Sequence, residues 1–299
     1  MTELPVLYRR MLLIRRFEER VLTLFTQGKL SGTTHTYIGQ EAGAVGVLSH
    51  LHPDDSVFSN HRCHGHYLVK TGDIKGLLSE MMGKRTGVCG GIGGSQHLCG
   101  QNFYSNGILG SQVPIAAGVA LAEKLRGAGR VVTVCVGDGA LGEGVVYETL
   151  NMASLYSLPI LVLIENNRIA QTTPLRLHLA GSIVARPRAF GIDASEVDSI
   201  DVRVIDDHAG GVIDGIRTTG RPHVLVLHTN RLAPHSKGDD TRPQDEVAEL
   251  SKLDPLGVIA ADLPEADRTA AQRSVDEALN EAERSAMEAS LPALAWAAE

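Results

Sequence analysis

The sequence predicts an α/β fold, a parallel sheet with helices on both faces, flanked by a helical N-terminal arm and a C-terminal helix. Three observations carry this prediction. Continuous apolar runs, RVVTVCV at 130–136, PILVLI at 159–164 and HVLVLH at 223–228, are of the kind buried on both faces of a sheet. Stretches of helical spacing separate them, and strand–helix–strand alternation implies parallel pairing through crossover helices. A glycine-rich turn, Gly137-Asp138-Gly139, directly follows the first run, where open parallel sheets bind ligands.

In chain order, residues 5–27 read as an amphipathic helix, with Leu7, Met11, Ile14, Phe17, Val21 and Leu24 at helical spacing. Residues 40–50 and 73–83 are further helices. The run TGVCGGIGGSQHLCGQN at 86–102 holds too much glycine for a stable helix or strand. It predicts close approach of backbone to a ligand or to another chain. Helices follow at 112–126 and 142–157. Beyond the second strand come a loop at 168–182, a weak helix near 183–191, a short strand at 201–205 and a helix near 208–218. The Ala/Glu/Arg-rich stretch 264–289 is helical. The last residues, LPALAWAAE, hold the only tryptophan and are expected to pack on a partner or to fray. No repeat or low-complexity linker interrupts the chain. Residues 1–299 therefore read as one domain, with its arm at 1–50 and its tail at 264–299.

Composition narrows the function. With 43% hydrophobic residues the chain can bury a sizeable core. A net charge of −7 argues against nucleic-acid binding, which needs clustered Lys and Arg. No apolar run approaches the roughly 20 residues that span a bilayer. The Arg-rich N-terminus carries Glu3, Glu18 and Glu19 and no small-residue cleavage site, so a targeting peptide is not expected and the protein is read as cytoplasmic. Cys63, Cys89, Cys99 and Cys135 form no CxxC pair. Cys89 and Cys99 flank His97, but not at zinc spacing, and free buried thiols are expected.

The strongest chemical signal is at Gly137-Asp138-Gly139, expected to open a helix. A helix N-terminus there presents N–H groups and a positive dipole end to a phosphate. Asp138 adds a negative charge beside that phosphate, which makes sense only with a cation between them. Downstream, the strand PILVLI ends in Glu165-Asn166-Asn167. Asp138 and the Asn167 amide oxygen, at two strand tips, are expected to converge on one hard cation, with the Ile169 carbonyl completing the set. Mg²⁺ takes such oxygen ligands at about 2.1 Å. Two readings stay open. GDGALG also matches the dinucleotide pattern GxGxxG, with Glu165 as its acid, although an Asp after the first glycine would repel an uncoordinated pyrophosphate. The bland reading is a capped turn and an ordinary strand-ending Asn pair.

These residues resemble a known family. GDG followed downstream by NN is the thiamine-diphosphate motif. The stretch GDGALGEGVVYETLNMASLYSLPILVLIENN is similar to the alpha subunit of the decarboxylating first component of 2-oxoacid dehydrogenase complexes of the pyruvate, acetoin and branched-chain type. YRRMLLIRRFEERV, HTYIGQEAGAVGV, HRCHGH, GGIGGSQHL, NFYSNGILGSQVPIAAGVALA and PHSKGDD have counterparts in order, so the likeness covers roughly residues 7–245. It implies a thiamine-diphosphate-binding fold, with thiamine diphosphate and Mg²⁺ as cofactors. Asp138, Asn167 and the Ile169 carbonyl would hold the Mg²⁺. Gly139 and Ala140 would contact the diphosphate through backbone N–H groups. Arg62, with His61 beside it, would pair with the diphosphate. The backbone of Gly107–Leu109 would contact the aminopyrimidine. His35 would face the substrate, and His235 would sit beside the reacting ring and assist proton or acyl transfer. His64, His66, His97 and His178 are left as structural. Glu41 is read as part of an acid relay or as a helix-starting charge.

The chain departs from the family at His61, where pyruvate-type members carry Tyr, at Ala233-Pro234 before the catalytic histidine, and in a shorter loop from Ser236 to Arg242. The resemblance places an activating Glu in a beta subunit. An active site shared with that subunit, in an α₂β₂ assembly, is expected. A lipoyl-bearing acyltransferase is a further candidate partner, and the substrate is a small 2-oxoacid. Segment 86–102 and the apolar C-terminus are candidate interfaces. The alternatives are the N-terminal subunit of a split transketolase, a specialised biosynthetic ketoacid enzyme, a nicotinamide-dependent dehydrogenase and a non-catalytic pseudo-subunit.

Overall fold

The computed structural model describes residues 2–236 and 238–293. The N-terminal helices are α1 (Leu4–Thr26) and α2 (Glu41–Leu48), followed by strand β1 (Ser56–Ser59), helices α3 (His64–Thr71) and α4 (Ile74–Met81), and short strands β2 (Cys99–Gly100) and β3 (Phe103–Ser105). Helix α5 (Gln112–Arg126) leads to β4 (Val132–Gly137), a 3₁₀ turn (Asp138–Gly142), α6 (Gly144–Leu155) and β5 (Ile160–Asn166). A two-stranded hairpin, β6 (Ile169–Ala170) and β7 (Thr173–Pro174), runs into α7 (Leu175–His178). Then come α8 (Ala185–Arg188), β8 (Asp193–Val197), α9 (Val202–Thr219), β9 (His223–His228), α10 (Gln244–Ser251), α11 (Pro255–Ala260) and α12 (Glu265–Glu288).

Seven strands form one sheet in the order β2-β3-β1-β4-β5-β9-β8, parallel except for β2 against β3. The predicted α/β class with helices on both faces is what the chain adopts. Alternation along the strands explains the continuous apolar runs. Val132, Val134 and Val136 of β4 join one core with α5 and α6, while Cys135 joins the other with α1, α2, α9 and α12. On β5, Leu161 and Leu163 face the second core, and Ile160, Val162 and Ile164 face the first. Both faces are dry, so neither needs polar residues. Among the described residues, no helix is long and apolar enough to cross a membrane.

Three expectations are corrected. Residues 201–205 are not a strand: Asp201 caps α9, its carboxylate accepting from the Arg203 N–H at 2.9 Å. The β-branched run VRVI belongs to a helical stripe whose buried members are Val202, Ile205, Ala209, Ile213 and Ile216. The strand lies earlier, at β8, a half-exposed polar edge with no apolar run to betray it. The GDG segment does not open an α-helix directly, because the 3₁₀ turn intervenes and α6 starts at Gly144. The glycine-rich segment does make a close approach, but to a side chain of its own chain. The buried Glu80 carboxylate accepts from the N–H groups of Cys89 (2.7 Å), Gly91 (2.9 Å), Gly93 (2.6 Å) and Gly94 (3.2 Å). A Cβ at Gly87 would lie 2.4 Å from Glu80 Oε2. The expectation for the end of the tail, including Trp296, falls at 294–299, outside the described residues.

Candidate active site

Register places the site. Gly137 of β4 stands opposite Glu165 of β5, and Asn166 stands opposite His228 of β9. Asp138, Asn167 and the segment after His228 therefore leave neighbouring strand tips at one edge of the sheet. Gly39 brings the start of α2 to the same edge. Its φ is +93°, and a Cβ there would lie 2.3 Å from the Asn230 carbonyl oxygen, so only glycine fits.

These tips floor a cavity of about 360 Å³, within the range of small-molecule sites. Every site position named from the sequence lines it. Asp138, Gly139 and Ala140 come from the turn after β4, and Asn167 and Ile169 from the end of β5 and the hairpin. His61 and Arg62 follow β1, Gly107 and Leu109 precede α5, and His35 and His235 close it from two loops.

The polar atoms there have unmet needs. Asp138 is buried, and its Oδ2 has no hydrogen-bond partner among the described residues. Burial raises its pKa above the ordinary carboxylate range, against the pull of His178. A buried oxygen without a donor costs about 1–3 kcal/mol, which a cation would recover. Asn167 Oδ1 accepts from the Ile169 N–H at 3.2 Å, and its Nδ2 faces Gln40 Oε1 at 3.5 Å. The amide oxygen keeps a second lone pair. One carboxylate, one amide oxygen and a nearby carbonyl make a hard-donor set that suits Mg²⁺. No cluster of three or more His, Cys, Asp or Glu able to hold a metal occurs among the described residues.

Among the described residues, two arginines are buried with no carboxylate in hydrogen-bond or ion-pair contact. Arg62 donates to the carbonyls of Thr36 and His235 (3.4 Å) and faces His235 Nδ1 at 3.5 Å, all neutral groups. Burial and the nearby Arg231 pull its pKa down to about 10. Arg231, 2% exposed, gives Nη2 to the Gln171 carbonyl at 3.1 Å, while its Nε and Nη1 have no partner among the described residues. Burial and Arg242 lower its pKa. Two desolvated cations, Arg62 lining the cavity and Arg231 bonded to Gln171 of its wall, call for an anion. The sequence reading missed Arg231. Its only signal was its place just past the carboxyl end of HVLVLH.

His35, His61 and His235 form a triangle, with ring centroids 4.7, 4.7 and 5.2 Å apart. Burial first, and the Arg62 charge second, push their pKa values down to about 3, 2 and 4 respectively. All three are neutral near pH 7.

Of the other singled-out residues, Glu165 also lines the cavity, and His64, His66, His178 and Glu41 do not. His64 bonds Glu18 at 3.1 Å and the Ser95 carbonyl at 3.0 Å, and His66 bonds Ser59 Oγ at 2.8 Å and Glu165 at 3.1 Å. Glu165 also accepts from Tyr37 Oη. That carboxylate is committed inside the core, which disfavours the ribose-binding role of the dinucleotide reading. Glu41 is buried against Arg15 Nε at 2.6 Å and the Gly39 N–H at 3.0 Å, tying α1 to α2 away from the cavity. His178 Nε2 stands at ion-pair distance, 3.6 Å, from Asp138 Oδ2.

The family model of the dehydrogenase E1 component matches residues 9–293. The chain belongs to the dehydrogenase E1 component family. It is similar to the pyruvate dehydrogenase E1 component subunit alpha of Zymomonas mobilis, 39% identical over 97% of this chain and 86% of that protein. It is similar also to the alpha subunits of acetoin:2,6-dichlorophenolindophenol oxidoreductase from Cupriavidus necator, 40% identical over 79% of this chain and 72% of that one, and Bacillus subtilis, 39% over 78% and 71%. The E1 chain is thus an oxidoreductase component, and membership implies thiamine diphosphate as cofactor and a beta subunit as partner.

Proposed function

We propose that this chain is the alpha subunit of a Mg²⁺- and thiamine-diphosphate-dependent 2-oxoacid dehydrogenase, decarboxylating its substrate and passing on the acyl group. The observation that carries the reading is one cavity lined by Asp138 with an unsatisfied oxygen, the Asn167 amide and Arg62, with the buried Arg231 behind its wall at Gln171. Asp138, Asn167 and the Ile169 carbonyl hold the ion. Arg62 and Arg231 neutralise the diphosphate, and Gly139 and Ala140 offer it backbone N–H groups.

Bound thiamine diphosphate supplies the nucleophilic carbon and the electron sink that decarboxylation requires. The protein orients two neutral imidazole donors. Arg62 Nη2 donates toward His235 Nδ1, and Gln96 Nε2 toward His35 Nδ1 at 3.3 Å. Both rings are thereby held with the proton on Nε2, as neutral hydrogen-bond donors turned to the substrate. The backbone of Gly107–Leu109 receives the aminopyrimidine. Ile108 and Leu109, 70% and 47% exposed, ring the mouth with apolar surface that the beta subunit covers in an α₂β₂ assembly. The chain folds as a single diphosphate-binding domain and works in the cytoplasm, with a lipoyl-bearing acyltransferase as the acceptor.

The test is co-expression with a beta-type partner and dye-linked oxidation of pyruvate, branched-chain 2-oxoacids and acetoin in separate arms. Turnover of a 2-oxoacid that needs both thiamine diphosphate and a divalent ion supports the reading. Oxidation of acetoin alone, or turnover without thiamine diphosphate, refutes it.

A further inference from the structure

His178 was set aside by the sequence as structural, yet its Nε2 has no hydrogen-bond partner among the described residues and only Asp138 at ion-pair distance. It ends α7, which packs on the Asp138–Gly142 turn. Its side chain is only 18% exposed, and Nε2 lies 3.6 Å from Asp138 Oδ2. Both atoms are buried and neither has a hydrogen-bond partner among the described residues. That separation is too long for a hydrogen bond. It suits two ligands of one ion: atoms about 2.1 Å from a metal stand roughly 3.0 Å apart at a right angle and wider at a larger one. The backbone supports the placement. β6 pairs with β7 through Ile169 opposite Pro174, and β7 runs straight into α7. The Ile169 carbonyl and His178 therefore ride on one small unit beside Asp138.

We propose that His178 Nε2 is a ligand of the divalent cation, and that the site prefers first-row transition ions such as Mn²⁺ or Co²⁺ to Mg²⁺. An imidazole nitrogen raises affinity along the transition series, whereas Mg²⁺ favours oxygen. The inference rests on the reading of Asp138 and Asn167 as side-chain ligands.

The experiment is Mn²⁺ titration and pulsed EPR on the enzyme assembled with its beta-type subunit and saturated with thiamine diphosphate. Nitrogen modulation on bound Mn²⁺ is expected, changing when the protein is grown on ¹⁵N-histidine and vanishing in both His178→Ala and His178→Gln. Mn²⁺ binding should weaken roughly 10–100-fold in both variants, and the preference over Mg²⁺ should disappear. Mn²⁺ that is lost in Asp138→Asn but shows no histidine nitrogen in the unaltered enzyme overturns the role of His178 and leaves the metal reading intact. Mn²⁺ binding indifferent to Asp138→Asn overturns both.

Discussion

Replacing Arg231 by Met should separate a residue kept for a ligand from one kept for the fold. Among the described residues of the cofactor-free chain the guanidinium makes one hydrogen bond, from Nη2 to the Gln171 carbonyl, and leaves Nε and Nη1 unsatisfied. An unsatisfied buried donor costs about 1–3 kcal/mol, and a bond involving a charged group returns about 1.5–3. Two such donors against one bond predict that Arg231→Met leaves the cofactor-free protein as stable as before, or more so. The cofactor reverses the sign. Loss of a charge-assisted contact to the diphosphate, again about 1.5–3 kcal/mol, weakens binding about 10- to 150-fold. At a free cofactor concentration of 100 times the original Kd, ligand stabilisation falls from about 2.7 kcal/mol to about 0.3–1.4. Paired thermal melts with and without cofactor and Mg²⁺, together with calorimetric titration, read both halves. A variant that melts several degrees lower without cofactor, yet binds it with unchanged Kd, refutes the reasoning and makes Arg231 a structural residue.

Asp138→Asn should abolish the metal dependence of cofactor binding and weaken it by at least about 100-fold, since groups one layer further out already cost 10–100-fold; calorimetry with and without Mg²⁺ checks this. The histidine triangle predicts acid sensitivity. His35, His61 and His235 titrate at about 3, 2 and 4 when folded and at 6.5 when unfolded, so the unfolded chain binds more protons below pH 6.5. Stability is complete above pH 6.5 and falls as pH drops toward 4, and His61→Gln should flatten that fall in melts followed across pH 4–7. The same shifts keep His235 neutral through the working range, so the acid limb of a kcat profile should not titrate near 6.5. Glu80→Ala strands four N–H donors and should destabilise by about 3 kcal/mol or more. Faster amide exchange at 87–98 is the specific signature, with Glu80→Gln losing less.

The sheet and the cavity end at β4 and β5 were legible because each is written locally. Runs buried on both faces must be apolar throughout, so β4, β5 and β9 announced themselves, whereas β8 shows one polar face to solvent and β1 is only four residues long. Asp138 and Asn167 were singled out because a carboxylate beside an expected phosphate is anomalous without a cation, and both line the cavity. Arg231 and His178 had no such local anomaly. Whether an arginine or a histidine is ordinary depends on which charges surround it, and those come from segments far apart in the chain. The want, among the described residues, of a carboxylate bonded to Arg231, and of a donor between His178 and Asp138, arises only when β5, β9 and the hairpin meet at one edge. The glycine-rich segment shows the converse. Its composition signalled close approach correctly but could not say to what, and the partner proved to be Glu80, a residue of the preceding helix. Composition therefore reports a backbone's tolerance for contact, while the identity of the contact is a property of the assembled fold. For this chain, the residues most worth mutating are those whose buried polar atoms remain unsatisfied after folding is complete.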